Sequence, residues 1–216
     1  MTRTWIVAQG DSCITLQFDA GIDPAVNAHC IAIAQAVDTR RHAGVRDVVP
    51  TYHGVTVHFD PREADREALK HMLTELSRED APALDLQGEL VTIPVTYGGE
   101  AGPDLSDVAS FARCSEADVV RLHTAAPYRV FMLGFLPGFA YMGQVDARIA
   151  MPRLDAPRPR VPAGSVGIAG LQTGIYPCDT PGGWRVVGRT AAALFDPTRP
   201  QPFLLKAGDS VRFVEA

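Results

Sequence analysis

The chain has 216 residues, 46% of them hydrophobic and 21% charged, which excludes a disordered or fibrous polymer and leaves room for one large or two small domains. Its formal net charge of -5 gives no general attraction to nucleic acid phosphates. No apolar run approaches the length of a membrane span and the opening MTRTWIVAQGDSC lacks a signal-peptide core, so a cytoplasmic address is expected, with neither membrane nor nucleic acid as partner.

In chain order, Ile14, Leu16 and Phe18 alternate with Thr15 and Gln17, the two-residue period of a half-buried strand. Val55, Val57 and Phe59 repeat that period around Thr56 and His58. Between them Asp23 is placed to cap a helix, Pro24 suits its first turn, and Val26, Cys30, Ile33, Ala34 and Val37 recur at helical spacing until Gly44 ends it. A second helix is expected from Asp60 and Pro61, with Glu63 in a capping box and Leu69, Met72, Leu73 and Leu76 on one stripe. Strand, helix, two strands, helix is the order of a ferredoxin-like α+β domain, assigned to residues 1–86. The stretch SREDAPALDLQG, residues 77–88, mixes charge, proline and glycine as a linker does, and a second domain is assigned to residues 87–216.

That second domain opens on a strand carrying Val91, Ile93 and Val95, followed by two short helices over residues 104–112 and 115–124, the latter opened by a Ser115–Asp118 capping box. Beyond Pro127 short strands are expected at residues 128–133, 165–169, 184–187, 203–206 and 210–214, separated by Gly and Pro turns. A small barrel or sandwich follows from such spacing.

Two runs in this half invite a functional reading. GFLPGFAYMG at 134–143 packs three aromatics and three glycines into ten residues, and RPRVPAGSVGIAGLQTGIYPCDTPGGW at 158–184 carries six glycines beside Arg158, Arg160, Gln172, Thr173 and Tyr176. Aromatic side chains beside glycine backbone suggest a pocket wall, the alternative being short strands joined by tight turns. Arg148, Arg153, Arg158 and Arg160 fall within thirteen residues and offer forked donors to a carboxylate or phosphate, or else salt bridges to Asp146 and Asp155. His123 ends its helix just before the first run, placed either to cap the C-terminus or to transfer protons in the pocket.

Other chemistries lack their motifs. Cys13, Cys30, Cys114 and Cys178 are scattered without a CxxC pair, and His53 and His58 have no ligand spacing around them, so no metal site is expected. No Walker A sequence, no GxGxxG after a strand and no GxSxG elbow occurs in the sequence.

Together with GDSCITLQF near the start, VTYGGEAGPDL at 95–105, RLHTAAPYRVFMLGF at 121–135 and LFDPTRPQPFLLKAGDSVRF at 194–213, the two runs resemble the allophanate hydrolase subunit 1 family over the whole chain. The resemblance implies a cyclophilin-like β-barrel for the second domain. It also implies one component, inactive alone, of a heteromeric ATP-dependent 5-oxoprolinase, with ATP as co-substrate of the complex and 5-oxoprolinase subunits C and A as partners. Some members of the family instead inhibit a sensor histidine kinase, which is the alternative role. With a lactam as substrate, His123, Arg160 and Gln172 become the expected catalytic groups. Phe135, Phe139, Tyr141, Arg158, Thr173 and Tyr176 become the expected substrate-binding ones.

Overall fold

A computed structural model describes residues 3–79 and 88–216, and the chain divides into two compact units between Gln87 and Gly88. Residues 80–87 of the expected linker lie outside the described residues.

In the first unit, β1 (Thr4–Ala8), β2 (Cys13–Phe18), β3 (Val45–Pro50) and β4 (Gly54–Phe59) form an antiparallel sheet in the order β1-β2-β4-β3. The helices α1 (Pro24–Arg40) and α2 (Arg66–Leu76) share one core with it, built on Ile14, Leu16, Phe18, Val55, Val57, Cys30, Ile33, Leu69 and Leu73. Without β1 this is the expected strand, helix, two strands, helix. β1 lacks a periodic signature and takes the sheet edge beside β2 that the closing strand of a ferredoxin-like domain would fill.

Asp23 caps α1 by accepting from the backbone N–H groups of Ala25 at 2.7 Å and Val26 at 3.2 Å, as its position before Pro24 predicts. Two boundaries differ from expectation. α1 stops at Arg40 because Arg41 turns left-handed, φ 43°, ahead of Gly44. α2 begins at Arg66 under an Asp65 cap, whose carboxylate accepts from Glu67 and Ala68 N–H, each at 3.0 Å. Asp60 instead holds the preceding turn: it accepts from Arg62 N–H at 3.0 Å and pairs with the Arg62 and Arg46 guanidinium groups. Both aspartates are cap formers; Asp60 is spent on Arg62 and Arg46 in the turn, and Asp65 caps the helix that buries Leu69, Met72, Leu73 and Leu76.

The second unit is a closed seven-stranded barrel. Its strands are β5 (Leu90–Tyr97), β6 (Tyr128–Leu133), β7 (Ala140–Gly143), β9 (Ser165–Ala169), β10 (Gln172–Ile175), β12 (Arg185–Arg189) and β13 (Ser210–Glu215). They run in the order β10-β7-β6-β13-β5-β12-β9 and close from β9 to β10. Only β13 with β5 is parallel. A two-stranded ribbon, β8 (Arg158–Val161) with β11 (Thr180–Gly182), forms a separate sheet. The helices α3 (Leu105–Ala112) and α4 (Glu116–Thr124) lie against β12 and β13, and Ser115 and Asp118 make the expected capping box.

Interior residues such as Ile93, Val95, Val130, Met142, Val166, Ile168 and Phe213 are buried in one cluster and fill the barrel with packed side chains. The strand expected at 203–206 is reduced to a single bridge between Phe195 and Phe203. The chain then turns at once, because the Asp209 carboxylate accepts from Lys206 N–H at 2.7 Å. Conversely, the run 158–184 proves to be mostly strand: β8, β9, β10 and β11 with turns between them.

Candidate functional site

Three of the second unit's short segments meet where the ribbon approaches the β6–β7 turn. There Phe139 is buried and surrounded by rings in edge-to-face contact: Tyr141 at 4.8 Å between centroids, Tyr176 and Trp184 at 5.4 Å, and Phe135 at 5.5 Å. Such contacts add about 0.5 to 1.5 kcal/mol per pair beyond burial, so the cluster is rigid. A cavity of about 270 Å³ opens against four of the expected substrate-binding residues, Phe135, Phe139, Tyr141 and Tyr176, and against Trp184, Arg153, Gly182 and Gly183. Phe135 stands at the rim, 60% exposed, on a left-handed backbone with φ 69°. Burial pushes the Tyr141 and Tyr176 hydroxyls up from the usual phenol range, and the nearby Arg153 charge partly offsets this.

Gly182 shapes the wall. A Cβ added there would lie 2.5 Å from Tyr176 Oη and 2.8 Å from its ring carbons. Gly182→Ala is therefore expected to displace the Tyr176 ring at a stability loss of about 1 to 3 kcal/mol. Chemical denaturation measures the loss, and an unchanged midpoint with unchanged Trp184 fluorescence would show that the ring has room.

The arginines separate by partner. Arg148 pairs with Asp146 at 2.7 Å, as the salt-bridge alternative predicts. Arg158 sends both fork nitrogens to the buried carboxylate of Asp104, with Nη1 to Oδ2 at 2.9 Å, and Arg160 sends Nε and Nη2 to Asp179. Asp104 also accepts from Val186 N–H at 2.7 Å, which ties the start of α3 to β12 and the ribbon. Arg153 has no hydrogen bond or ion pair among the described residues, and its guanidinium lies beside Gly183 at the cavity.

The structure does not bring His123, Gln172 or Thr173 to this cavity. His123 is fully buried between α4 and the barrel, stacked on Phe213 at 4.7 Å. Its Nε2 lies 3.0 Å from Thr173 Oγ1 and its Nδ1 2.7 Å from Tyr97 Oη. Thr173 spends its own proton on the Gly167 carbonyl, so Nε2 carries the imidazole hydrogen and Nδ1 accepts from Tyr97. Burial lowers the His123 pKa to about 3, and with both nitrogens occupied it is a neutral structural group. Gln172 lies on β10 opposite Gly143 and Ala169. Arg160, largely exposed, is held by Asp179 outside the cavity lining.

Arg153 and Trp184 complete the cavity but stand outside the expected set. Arg153 belongs to the arginine cluster read from the sequence, and its only distinguishing feature, the lack of a carboxylate partner, depends on tertiary contacts. A larger groove of about 590 Å³ lies elsewhere, along Thr96, Gly164 and Thr190, and its cation Arg189 already donates to the Ala163 carbonyl at 2.9 Å. No group of side chains suited to a metal ion occurs among the described residues, and no helix there is long and apolar enough to cross a membrane.

Residues 4–205 match the carboxyltransferase domain family, subdomain C and D. The chain belongs to that family. Within it, the chain is 42% identical to the 5-oxoprolinase B subunit of Bacillus subtilis, over 99% of its own length and 94% of the relative's. It is 40% identical to the 5-oxoprolinase B subunit of Escherichia coli O157:H7, over 99% and 97%. The crystal structure of TTHA0988 superposes with a TM-score of 0.83 at 40% identity, covering all of this chain and 40% of that one. This carboxyltransferase-family chain thus spans well under half of TTHA0988 but nearly the whole of both curated relatives.

Proposed function

We propose that the chain is the B subunit of a 5-oxoprolinase, which opens the lactam of 5-oxoproline to glutamate together with partner subunits C and A and with hydrolysis of ATP. The observation that carries this reading is the end-to-end identity with two curated relatives of that name, at 42% and 40%. The site's chemistry agrees with it. Ring opening adds water across the C–N bond of a small planar amide, and the cavity offers aromatic walls that shield such a ring and one unpaired guanidinium beside it.

The chain on its own lacks the rest of the machinery. It has no Walker A sequence, and the buried neutral His123 leaves the cavity without that imidazole as an acid or base. The nucleotide and the groups that move protons come, in this reading, from the partners.

Purified alone, the chain should neither hydrolyse ATP in the presence of 5-oxoproline nor release glutamate. Mixed with subunits C and A, it should release glutamate only when ATP is supplied. Turnover by the isolated chain would overturn the dependence on partners. A fully assembled complex that consumes no 5-oxoproline would overturn the substrate.

A further inference from the structure

Four arginines cluster within thirteen residues, yet three are paired with a carboxylate of the same chain: Arg148 with Asp146, Arg158 with Asp104 and Arg160 with Asp179. Arg153, the fourth, has no such partner among the described residues. It stands on the wall of the 270 Å³ cavity, with Nε 3.6 Å and Nη2 3.7 Å from where a Cβ on Gly183 would sit. Those are ordinary contact distances, so the guanidinium packs beside Gly183 at the cavity wall. The same cavity is walled by Tyr141 and Trp184, both half-buried, with ring centroids 5.9 Å apart.

A cavity of that size with apolar ring walls and a single unmatched positive charge selects for a compact planar ligand bearing one negative group. We propose that Arg153 is the anchor for an anionic group in this cavity, and that its ligand is a small cyclic amide carrying one carboxylate, with the ring against Trp184 and Tyr141. The assignment rests on the 5-oxoprolinase reading for the identity of the amide. The choice of Arg153 over Arg158 and Arg160 rests on geometry alone, since a guanidinium already forked onto a carboxylate must break that pair before it can hold another.

Two ligands with the same ring separate the charge from the amide: 5-oxoproline, and 2-pyrrolidinone, which lacks the carboxylate. With the full chain and Trp184 fluorescence as readout, Arg153→Gln should weaken 5-oxoproline about ten- to a hundredfold and leave 2-pyrrolidinone unchanged. Arg153→Lys should recover part of the loss, and Arg160→Gln should change neither affinity. In the complex with subunits C and A, Arg153→Gln should raise the KM for 5-oxoproline by a similar factor. A working complex whose KM is indifferent to Arg153→Gln would overturn the anchor while leaving the 5-oxoprolinase reading intact. Arg153-dependent binding of 5-oxoproline by the chain, in a complex that never releases glutamate, would support the anchor and overturn the reading.

Discussion

Arg158→Ala should destabilise the barrel by about 3 to 5 kcal/mol, more than a surface salt bridge could account for. The side chain of Asp104 is only 4% exposed, whereas that of Arg158 is 32% exposed, so the two partners are not equivalent. Removing the arginine strands a carboxylate out of water with Val186 N–H as its one remaining hydrogen-bond donor among the described residues. Removing the charge as well relieves that penalty: the double variant Asp104→Asn with Arg158→Ala should be more stable than Arg158→Ala alone. Urea denaturation of the two singles and the double gives the coupling directly. Simple additivity would mean that the pair is solvated and the clamp from α3 to β12 and the ribbon is weak. The clamp matters for the site because Val186, which Asp104 holds, lies two residues from Trp184 on the cavity wall.

How far the sequence reveals this architecture depends on the distance over which each feature is decided. The strands around Ile14–Phe18 and Val55–Phe59, the Asp23 cap and the Ser115–Asp118 box rest on neighbours within a few residues, and they form where the pattern puts them. Asp60 and Asp65 are both local cap candidates, and Asp60 is taken by Arg46 from β3, 14 positions away, as well as by its neighbour Arg62. β7, β8, β10 and β11 are three or four residues long and rich in glycine and proline, too short for a two-residue period to show.

The pairings that commit the other expected groups elsewhere are long-range. Arg158 meets Asp104 across 54 positions, and His123 meets Thr173 across 50. The sequence reading therefore favours Arg158 and Arg160 and leaves Arg153 outside the expected set, and only the fold shows that the first two are committed to Asp104 and Asp179. The aromatic wall is more legible, because GFLPGFAYMG brings Phe135, Phe139 and Tyr141 together by proximity in the chain, whatever the rest of the fold does.

Acid should begin to destabilise the wild-type chain below pH 6.5, above the range in which Asp118 and Asp146 respond, and His123 is the reason. In the unfolded chain its imidazole takes a proton near pH 6.5; in the folded protein burial against Phe213 and Tyr128 holds that proton off until about pH 3. Between those values unfolding takes up a proton, so stability is fully present above pH 6.5 and falls as the pH drops, by about 1.4 kcal/mol per unit for this one group. Asp118 and Asp146, whose folded pKa values are held down to about 2 by Ser115 and Arg121 and by Arg148, add their own loss only below their unfolded value of 3.8. The interval from 6.5 to roughly 4.5 therefore separates the contribution of His123 from those of these two aspartates, and comparison with a His123 variant assigns it. His123→Gln should lower stability at pH 7 by about 1 to 3 kcal/mol, because one of the Tyr97 and Thr173 hydrogen bonds and the ring stack are lost. It should also remove one proton's worth of slope across that interval. Equal slopes in wild type and variant would show that the folded protein admits a proton to His123 near neutral pH. The imidazole would then regain the capacity for acid–base chemistry that its two hydrogen bonds deny it.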